Sequence, residues 1–518
     1  MSSATRGNAT VWVDTPGGTG YLRCCEIGQI SDTPNRGGYC QYGAGARVSP
    51  PTQQEKAPAV ILNQYYIDCL SHASYLVGDE TTGQAVVVDP RRDVQDYLDD
   101  AAAAGLRIVG VLNTHFHADF VAGHLELAEA TGAWIGYGRR ADTDYEIRAF
   151  ADGDRISLGE VQLEIVETPG HTWESISVLV REHADDQVPH AVLTGDALFN
   201  GDVGRPDLAV AVGADPDELA RALYVSTHET LMGLPDEVRL LPAHGAGSAC
   251  GKNIASELES TIGAQRTGNP SLGPMSADEF VAAVSAGQPA IPEYFAQDAK
   301  LNRRQHRLGH QDRVLRQLTS AELLAEVRGG ARLLDARAPE EFAQAHLEGS
   351  VNIGIDGRFA ETAGMFFDIA DRIVVIAEPG REDEVAMRLA RIGVDDVAGY
   401  LATPADAFAE LAGHVRSAER VDIADVESAR RDGTATVLDV RNPTEVEAGA
   451  IPGSVRVPLA DLERRLAEVP DDRPVIVHCA GGWRSSVGAS VLRRAGRTEV
   501  TDLAGGFNAW ERAVGQRT

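Results

Sequence analysis

Val475-Ile-Val-His-Cys-Ala-Gly-Gly-Trp-Arg-Ser485 is an apolar run that delivers one cysteine, Cys479, into a glycine-rich segment. We predict a buried strand, a tight loop and a helix that begins near Arg484 and Ser485. Backbone N–H groups at a helix N-terminus lower the pKa of a thiol and bind anions, and glycines let the backbone close around the sulfur. Arg484 adds a fixed positive charge. A buried cysteine that only ends a core strand is the alternative, and the glycines and Arg484 favour a stabilised thiolate instead.

Four separated segments in this part of the chain resemble the rhodanese family of sulfur transferases. The family's active loop reads cysteine, four residues, then arginine, as from Cys479 to Arg484. This loop length is that of the sulfur transferases and not that of their phosphatase relatives, so the resemblance implies that sulfur is bound. Cys479 is then the catalytic residue, and the anion-binding loop consists of Ala480, Gly481, Gly482, Trp483 and Arg484. The other three segments are Leu438-Asp-Val-Arg-Asn-Pro443, Ile451-Pro-Gly-Ser454 and Leu503-Ala-Gly-Gly-Phe-Asn-Ala-Trp510.

A second copy of this pattern precedes the first. The run Leu334-Asp-Ala-Arg-Ala-Pro-Glu-Glu341 matches Leu438-Asp-Val-Arg-Asn-Pro-Thr-Glu445. The next strand, however, leads into Ala377-Glu-Pro-Gly-Arg381, where alanine replaces the nucleophile, the loop is one residue shorter and Glu378 adds negative charge. We therefore expect a degenerate domain that forms no persulfide and serves packing or docking. An internal repeat of this kind raises the domain count.

The N-terminal half carries a different cluster of functional residues. Ile108-Val-Gly-Val-Leu-Asn-Thr-His-Phe-His-Ala-Asp-Phe120 is predicted to be a buried strand that ends in two histidines and an aspartate at alternate positions. Such a cluster at a strand end can converge on a metal ion. Further candidate ligands each follow an apolar strand, and scattered loop histidines would not show this regularity. These candidates are His171, Asp196 and His244.

In order and context, these residues resemble the metallo-β-lactamase fold family over about residues 59–260. The hydrolases of that family carry a histidine where this chain has Phe120, and that histidine helps to hold a second zinc ion. Since phenylalanine offers no lone pair, one site is left, formed by His115, His171 and Asp196. Two imidazoles and a carboxylate on one face of a metal form the triad of non-haem Fe(II) oxygenases.

Within the superfamily, the resemblance is to the persulfide dioxygenases, whose iron ligands correspond to this triad. It implies one Fe(II) per chain, with zinc as the alternative metal. His117, Asp119 and His244 are then expected to orient ligands or substrate or to transfer protons. The segment Gly201-Asp-Val-Gly-Arg-Pro-Asp-Leu208 also resembles this branch. Its Arg205 either holds the carboxylate of a thiol carrier or braces the loop, and the sequence leaves both alternatives open.

Both halves together resemble bacterial fusions of a persulfide dioxygenase with rhodanese domains. The resemblance implies oxidation of a low-molecular-weight thiol persulfide by O₂ to sulfite, coupled to sulfur transfer between sulfite and thiosulfate through Cys479. Such an enzyme acts in sulfide detoxification or sulfur metabolism. The competing hypothesis is a zinc-dependent thioester hydrolase of the glyoxalase II type with rhodanese domains for interaction. Phe120 argues against it, because the dinuclear site that activates water would be weakened.

Composition narrows the class of partner. The chain of 518 residues has a net charge of −30, which argues against binding to nucleic acid or to anionic membranes. No apolar run approaches the length of a membrane span, and the first residues do not resemble a secretory signal. We therefore expect a cytoplasmic enzyme with small-molecule partners, and we leave open whether it forms a homo-oligomer. The six cysteines show no spacing typical of disulfides or of a zinc ribbon, and Cys69 and Cys250 are interpreted as packing residues.

The predicted architecture is a multidomain α/β chain: an αββα metallo-β-lactamase sandwich followed by two rhodanese-like domains with parallel sheets. Residues 1–57, which contain Cys24, Cys25 and Cys40, are expected to form a disordered extension. The dioxygenase domain is predicted at 58–262 and a structured connector at 263–316, where Tyr294 and Phe295 require burial. The degenerate rhodanese-like domain is predicted at 317–413, and the intact one at 418–518.

Overall fold

A computed structural model describes residues 60–208, 213–288, 291–308 and 314–515. The predicted N-terminal extension and its three cysteines lie outside these ranges. Within them, no helix is both long enough and apolar enough to span a bilayer.

The N-terminal part of the described chain forms two six-stranded sheets. Strands that are neighbours in sequence are also neighbours in each sheet. The first sheet contains β1 (Val60–Ile67), β2 (His72–Asp79), β3 (Gln84–Val88), β4 (Arg107–Leu112), β5 (Trp134–Gly138) and β6 (Arg148–Phe150). The second sheet contains β7 (Arg155–Ser157), β8 (Gln162–Glu167), β9 (Ile176–Arg181), β10 (Ala191–Gly195), β11 (Arg239–Pro242) and β12 (Ser260–Thr261).

Alternating side chains on the strands create two apolar layers. Tyr75 and Val77 of β2 pack between the sheets, against Ile165 and Val178 of the second sheet. Leu76 points to the opposite face and packs with residues of the helix that follows β3. This alternation is the two-residue period of a strand, and it buries both faces of the sheet. The helices of this part are α1 (Gln95–Ala103), α2 (His124–Thr131) and α3 (Pro216–Tyr224).

The connector is helical. Tyr294 and Phe295 are both buried, as their aromatic side chains require. The second connector helix begins with a capping box, in which Ser276 and Glu279 satisfy each other's backbone N–H groups. The helices of the connector are α4 (Ile262–Gly268), α5 (Ala277–Ser285) and α6 (Phe295–Leu301).

The first rhodanese-like domain has a parallel four-stranded sheet. Its strand order is β15-β13-β16-β17, with β13 (Arg332–Asp335), β15 (Val351–Asn352), β16 (Ile373–Ile376) and β17 (Val397–Leu401). A short pair, β14 (His346–Leu347) with β18 (Val415–Arg416), lies apart from it. The helices are α7 (Ser320–Arg328), α8 (Pro339–Gln344), α9 (Phe359–Gly364), α10 (Glu382–Ala390) and α11 (Pro404–Glu410).

The second rhodanese-like domain repeats this plan with one more strand. Its order is β19-β23-β22-β20-β21, with β19 (Arg420–Val421), β20 (Thr436–Asp439), β21 (Val455–Arg456), β22 (Val475–His478) and β23 (Val500–Leu503). All of these pairs are parallel. The helices are α12 (Ile423–Asp432), α13 (Pro443–Ala448), α14 (Trp483–Arg494) and α15 (Gly506–Gly515).

The two rhodanese-like domains share a buried ion pair that identifies them as copies. Arg337 binds Asp335 and donates to the Ala345 carbonyl at 2.8 Å. In the second copy, Arg441 binds Asp439 and donates to the Gly449 carbonyl at the same distance. The shared ion pair and strand order confirm the predicted repeat, and the sheets and helices confirm the predicted α/β fold class.

Candidate functional site

The predicted metal ligands lie where strands of both sheets end. His115 and His117 follow β4, His171 follows β8, Asp196 follows β10 and His244 follows β11. These loops meet at one edge of the sandwich, because each strand delivers its loop to the same end of its sheet. The sequence motifs are therefore brought together, although up to 129 residues separate them along the chain.

His115, His171 and Asp196 converge on one point. Their ligand atoms lie within 4.8 Å of one another, and all three residues are buried. The Nε2 atoms of His115 and His171 lie 3.7 and 3.5 Å from Asp196 Oδ2. Within the described residues, His115 Nε2 and Asp196 Oδ2 have no hydrogen-bond partner. Buried polar atoms are seldom left unpaired, so this arrangement fits a metal ion.

The charge states of the three residues also suit a cation. Burial lowers the pKa of His115 and of His171, which favours neutral imidazoles with free lone pairs. His171 Nδ1 donates to the Arg205 carbonyl at 2.8 Å, so its Nε2 atom is the free one. Burial alone would raise the pKa of Asp196, but His244, which is hydrogen-bonded to it, holds this pKa well below its usual range. Two neutral imidazoles and one carboxylate result.

His117, Asp119 and His244 form an adjacent group of compatible ligand atoms. His244 lies between two carboxylates, with Nδ1 at 2.7 Å from Asp196 and Nε2 at 2.8 Å from Asp119. Burial would lower the pKa of His244, but these carboxylates raise it well above its usual range. His117 Nε2 lies 3.0 Å from Asp89. Both histidines thus contact acidic residues that can orient them.

Phe120 fills the space beside this second group. Its ring is fully buried, with centroids 4.4 Å from the ring of His117 and 4.1 Å from the ring of His72. The backbone around Phe120 is held by the connector residue Asn302, which donates to the carbonyls of His117 and Phe120 at 2.8 Å. A hydrocarbon ring, which offers no lone pair to a metal ion, therefore lies beside His117.

Three residues of this region were not recognised from the sequence. His72, which opens β2, is fully buried beside His117 and His244, and neither ring nitrogen has a partner among the described residues. Cys250 was interpreted as a packing residue, but its ligand atom lies within 4.8 Å of those of Asp196 and His244. Asp89 follows strand β3 directly, and this position at a strand end was the signal that could have identified it.

Arg205 braces its loop. The guanidinium binds both carboxylate oxygens of Asp207, at 2.6 and 2.8 Å, and donates to the Ala249 carbonyl at 3.1 Å. The residue is only 1% exposed. These contacts use three of the five N–H groups of the guanidinium and fit the bracing alternative, while a role of Arg205 in binding a thiol carrier stays a prediction.

The second centre lies around Cys479, directly after β22. Its thiol is buried, and the Gly482 N–H donates to the sulfur at 3.1 Å. Gly482 has a φ of +100°, which favours glycine, and this turn starts helix α14 at Trp483, one residue before the predicted start. A Cβ atom on Gly506 would lie 2.4 Å from the Cys479 carbonyl, so the loop packs closely against that segment.

The polar partners of this loop come from several segments. Arg484 forms a bidentate ion pair with Glu445, at 2.7 and 2.6 Å, so the positive charge of Arg484 near the loop is partly balanced. Ser485 donates to Asp502 at 3.2 Å. Trp483 points away from its own domain and donates to the carbonyl of Gly354 at 3.2 Å. Ala480 and Gly481 supply the backbone between sulfur and helix.

The corresponding loop of the first copy has an acidic side chain on its turn. Ala377 is buried at the end of β16, and the Gly380 N–H donates to the carboxylate of Glu382 at 2.8 Å. Three acidic residues, Glu382, Asp383 and Glu384, stand in the first turn of α10, whereas the first turn of α14 has none. A side-chain carboxylate thus takes the amide that would face a sulfur anion.

The chain matches two family models. The rhodanese-like domain matches twice, at residues 319–403 and 422–513, and the metallo-beta-lactamase superfamily matches at residues 67–244. Both models lie where the corresponding folds are found.

Two relatives and one solved structure are similar to this chain. The two relatives match its N-terminal part, and the solved structure matches a longer stretch. A persulfide dioxygenase ETHE1 from Bos taurus is 32% identical over 246 residues, which cover 46% of this chain and 85% of that protein. A hydroxyacylglutathione hydrolase from a Polaromonas species is 36% identical over 177 residues, covering 33% of this chain and 61% of that protein. The crystal structure of a metallo-beta-lactamase from Staphylococcus aureus is 32% identical with a TM-score of 0.60, covering 67% of this chain and all of that one.

Proposed function

The chain belongs to the persulfide dioxygenase family of the metallo-β-lactamase superfamily, joined to two rhodanese-like domains, and from this premise we propose that it oxidises a thiol persulfide and transfers sulfur. In the first reaction, a low-molecular-weight thiol persulfide, O₂ and water give the thiol and sulfite. In the second, Cys479 moves sulfane sulfur between a donor and sulfite, with thiosulfate as the product.

The observation that carries the first reaction is the convergence of His115 Nε2, His171 Nε2 and Asp196 Oδ2 on one buried point. These three residues would hold one Fe(II). Iron held by these residues would supply the redox chemistry that O₂ requires. The buried setting excludes bulk water from the reacting groups.

The neighbouring residues prepare the site for proton transfer. We assign the proton-holding role to His244, because its two ring nitrogens are hydrogen-bonded to the carboxylates of Asp196 and Asp119. Asp119 keeps the outer nitrogen oriented, and His117 is oriented in turn by Asp89. Outer partners of this kind typically change metal affinity or activity by about 10–100-fold when they are replaced.

The second reaction requires no oxidant. The thiolate of Cys479 attacks the outer sulfur of a persulfide, a new S–S bond forms, and the carrier leaves as a thiolate that takes up a proton. Sulfite then attacks the outer sulfur on Cys479, which gives thiosulfate and restores the thiolate. The N–H of Gly482 supports this proposal, because it points at the sulfur on which negative charge develops.

The competing function is zinc-dependent hydrolysis of a thioester. It is favoured by the 36% identity to a hydroxyacylglutathione hydrolase. It is opposed by Phe120, whose buried ring stands where the second metal of such a hydrolase needs a ligand.

Metal analysis combined with oxygen uptake distinguishes the two functions. Protein purified without added metal should contain one iron per chain and consume O₂ when a thiol persulfide is supplied. His115→Ala should lose the bound iron. Its oxygen uptake should fall by more than the roughly 100-fold expected when a residue that only orients a metal ligand is replaced. His183→Ala, outside the site, should change neither. Two zinc ions per chain with thioester hydrolysis and no oxygen uptake would contradict the proposal.

A further inference from the structure

Helix α14, which begins directly after the Cys479 loop, packs against the first rhodanese-like domain. The contact is with β15, an edge strand of that domain's parallel sheet. Ser486 on the helix donates to the side-chain oxygen of Asn352 at 2.6 Å, and the Asn352 N–H donates to Ser490 at 3.0 Å. All three residues are buried. The domain without a nucleophile thus holds the first two turns of the helix that starts at the active loop.

Trp483, the first residue of α14, forms a second link between the two domains. Its indole N–H donates to the Gly354 carbonyl at 3.2 Å. A Cβ atom on Gly357 would lie only 2.4 Å from the indole ring, and one on Gly354 would lie 2.9 Å from the indole nitrogen. Neither glycine has a positive φ, so the close approach of the indole, and not the backbone conformation, requires glycine at both positions.

Arg420 forms a third link, and this link ends on the loop itself. Its guanidinium donates to the Gly482 carbonyl at 2.8 Å and pairs with Glu340 of the first domain. Gly482 is the residue whose N–H donates to the Cys479 sulfur. The residue that supplies this donor is therefore held through Arg420 and, because it precedes Trp483 in the chain, through the indole as well.

The direction of the Gly482 N–H decides how well the loop stabilises an anion on the sulfur. A hydrogen bond weakens steeply when its donor is misaligned, so an amide 3.1 Å from the sulfur must be held in place to be effective. Donors that are fixed before the reaction stabilise developing charge without having to reorient. The loop has two successive glycines, Gly481 and Gly482, which alone do not fix a backbone. The contacts from the first domain restrain the residues on the helical side of these glycines.

We propose that the first rhodanese-like domain positions the Cys479 loop for sulfur transfer, with Trp483 as the positioning residue between the two domains. The inference rests on the proposed sulfur transfer through Cys479, and it gives the domain without a nucleophile a part in that reaction. Trp483 acts through Gly482, because the indole fixes the residue that follows the donating amide. A substitution in the first domain that moves the indole should therefore change the reactivity of a cysteine in the second.

Gly357→Ala tests this inference from the first domain. The new methyl group would displace the indole, so sulfur transfer from thiosulfate to cyanide should fall about 3- to 10-fold, the effect of losing one neutral hydrogen bond. Trp483→Phe removes the indole N–H and leaves room for that methyl group. Adding Gly357→Ala to Trp483→Phe should therefore lower the rate by less than about 2-fold, whereas independent sites would give multiplied losses. Gly413→Ala is the matched control, since its Cβ atom would meet nothing within 4 Å.

Amide hydrogen exchange tests the positioning without turnover. In the full chain, residues 479–486 should exchange about 3- to 10-fold faster in Gly357→Ala and in Trp483→Phe than in the reference and Gly413→Ala proteins, while exchange in β20 and β22 stays unchanged. Unchanged exchange in the loop, or multiplied losses of rate in the double variant, would overturn the inference. Faster exchange throughout both domains would overturn it as well, because it would show a general loss of stability. A reference chain that transfers no sulfur would refute the proposed function alone, since hydrogen exchange does not depend on that reaction.

Discussion

At the scale of single residues, the sulfur of Cys479 depends on its immediate backbone. One N–H, that of Gly482, points at the sulfur, and the positive φ of Gly482 makes this possible. A side chain at this position would strain the turn and displace the amide. The guanidinium of Arg484 is shared with Glu445, so the backbone is the principal local source of stabilisation for a bound sulfur anion.

Cys479→Ser tests whether this residue receives sulfur after oxidation or delivers it beforehand. Serine keeps the size and the hydrogen bond but cannot form a persulfide. We expect oxygen uptake to remain within about 2-fold, because the variant leaves the metal ligands intact, while the product changes from thiosulfate to sulfite. Product analysis by chromatography together with an oxygen electrode measures both. If oxygen uptake fell in step with thiosulfate, Cys479 would be supplying the metal centre.

At the scale of elements, the two loop–helix units show what distinguishes an active rhodanese loop from a degenerate one. The loop before α10 follows β16 and the loop before α14 follows β22, and each of these is an inner strand of a parallel sheet. The turn before α14 offers an amide to sulfur, whereas the turn before α10 gives its amide to Glu382. Because carboxylates are favoured at a helix N-terminus, Glu382 replaces the anion that the active loop would bind.

Ala377→Cys should therefore restore no sulfur transfer. The new thiol would lie near Glu382 and its acidic neighbours, which disfavour a thiolate, and the Gly380 amide would remain hydrogen-bonded to Glu382. Sulfurtransferase activity with thiosulfate should stay at background in a chain that also carries Cys479→Ser. Intact-protein mass spectrometry after incubation with a persulfide donor is the measurement. A stable gain of one sulfur atom would show that the acidic first turn is no obstacle.

The connector helix α6 contains a second element-scale feature, Asp298. Its side chain is fully buried without a hydrogen-bond partner in the described chain, and burial raises its pKa well above the usual range. The folded protein thus holds a proton that the unfolded chain releases near pH 4. The protonated Asp298 therefore contributes its full stability below about pH 4. This contribution is lost as the pH rises towards the pKa that Asp298 has in the folded protein.

Asp298→Asn should therefore stabilise the protein at high pH. The amide stays neutral, so the variant should exceed the reference by roughly 1–3 kcal/mol at pH 8, with the gain falling as the pH approaches 4. Denaturant unfolding of both proteins at several pH values, at a fixed metal load, measures this difference. Asp278→Asn on exposed α5 should change stability by less than about 0.5 kcal/mol at any pH. A gain that is independent of pH would refute the titration of Asp298.

Features that a short stretch of sequence encodes could be predicted, and features that depend on partners far apart in the sequence could not. The Cys479 loop and the metal triad were predictable because each ligand sits in a short motif after an apolar strand. The contacts of Arg205 and Asn302 were not predictable, because their partners are distant in sequence: Ala249 for Arg205, and His117 and Phe120 for Asn302. No local pattern encodes such contacts.

At the scale of the whole molecule, the first rhodanese-like domain is attached to the metallo-β-lactamase domain by buried ion pairs. Arg391 binds Asp93 at 2.6 and 2.9 Å, and its carbonyl accepts from the Val121 N–H. Arg92, which is 1% exposed, donates to Asp395 and to the Ala390 carbonyl of that domain. These contacts hold the segment after Phe120, so the interface and the metal centre share one part of the backbone.

Arg92→Ala should therefore weaken both the interface and the metal centre. Arg92 also binds the buried Glu126, so its removal breaks a buried ion pair, a loss that typically costs about 3–5 kcal/mol. We expect denaturant unfolding to shift by this amount, with a lower iron content, because the loop through Phe120 loses its support. Arg139→Ala removes a half-exposed arginine paired with Glu167 and should cost less than about 1 kcal/mol. If Arg92→Ala unfolded like the reference and kept its iron, the contacts between Arg92 and the first rhodanese-like domain would be dispensable for the metal site.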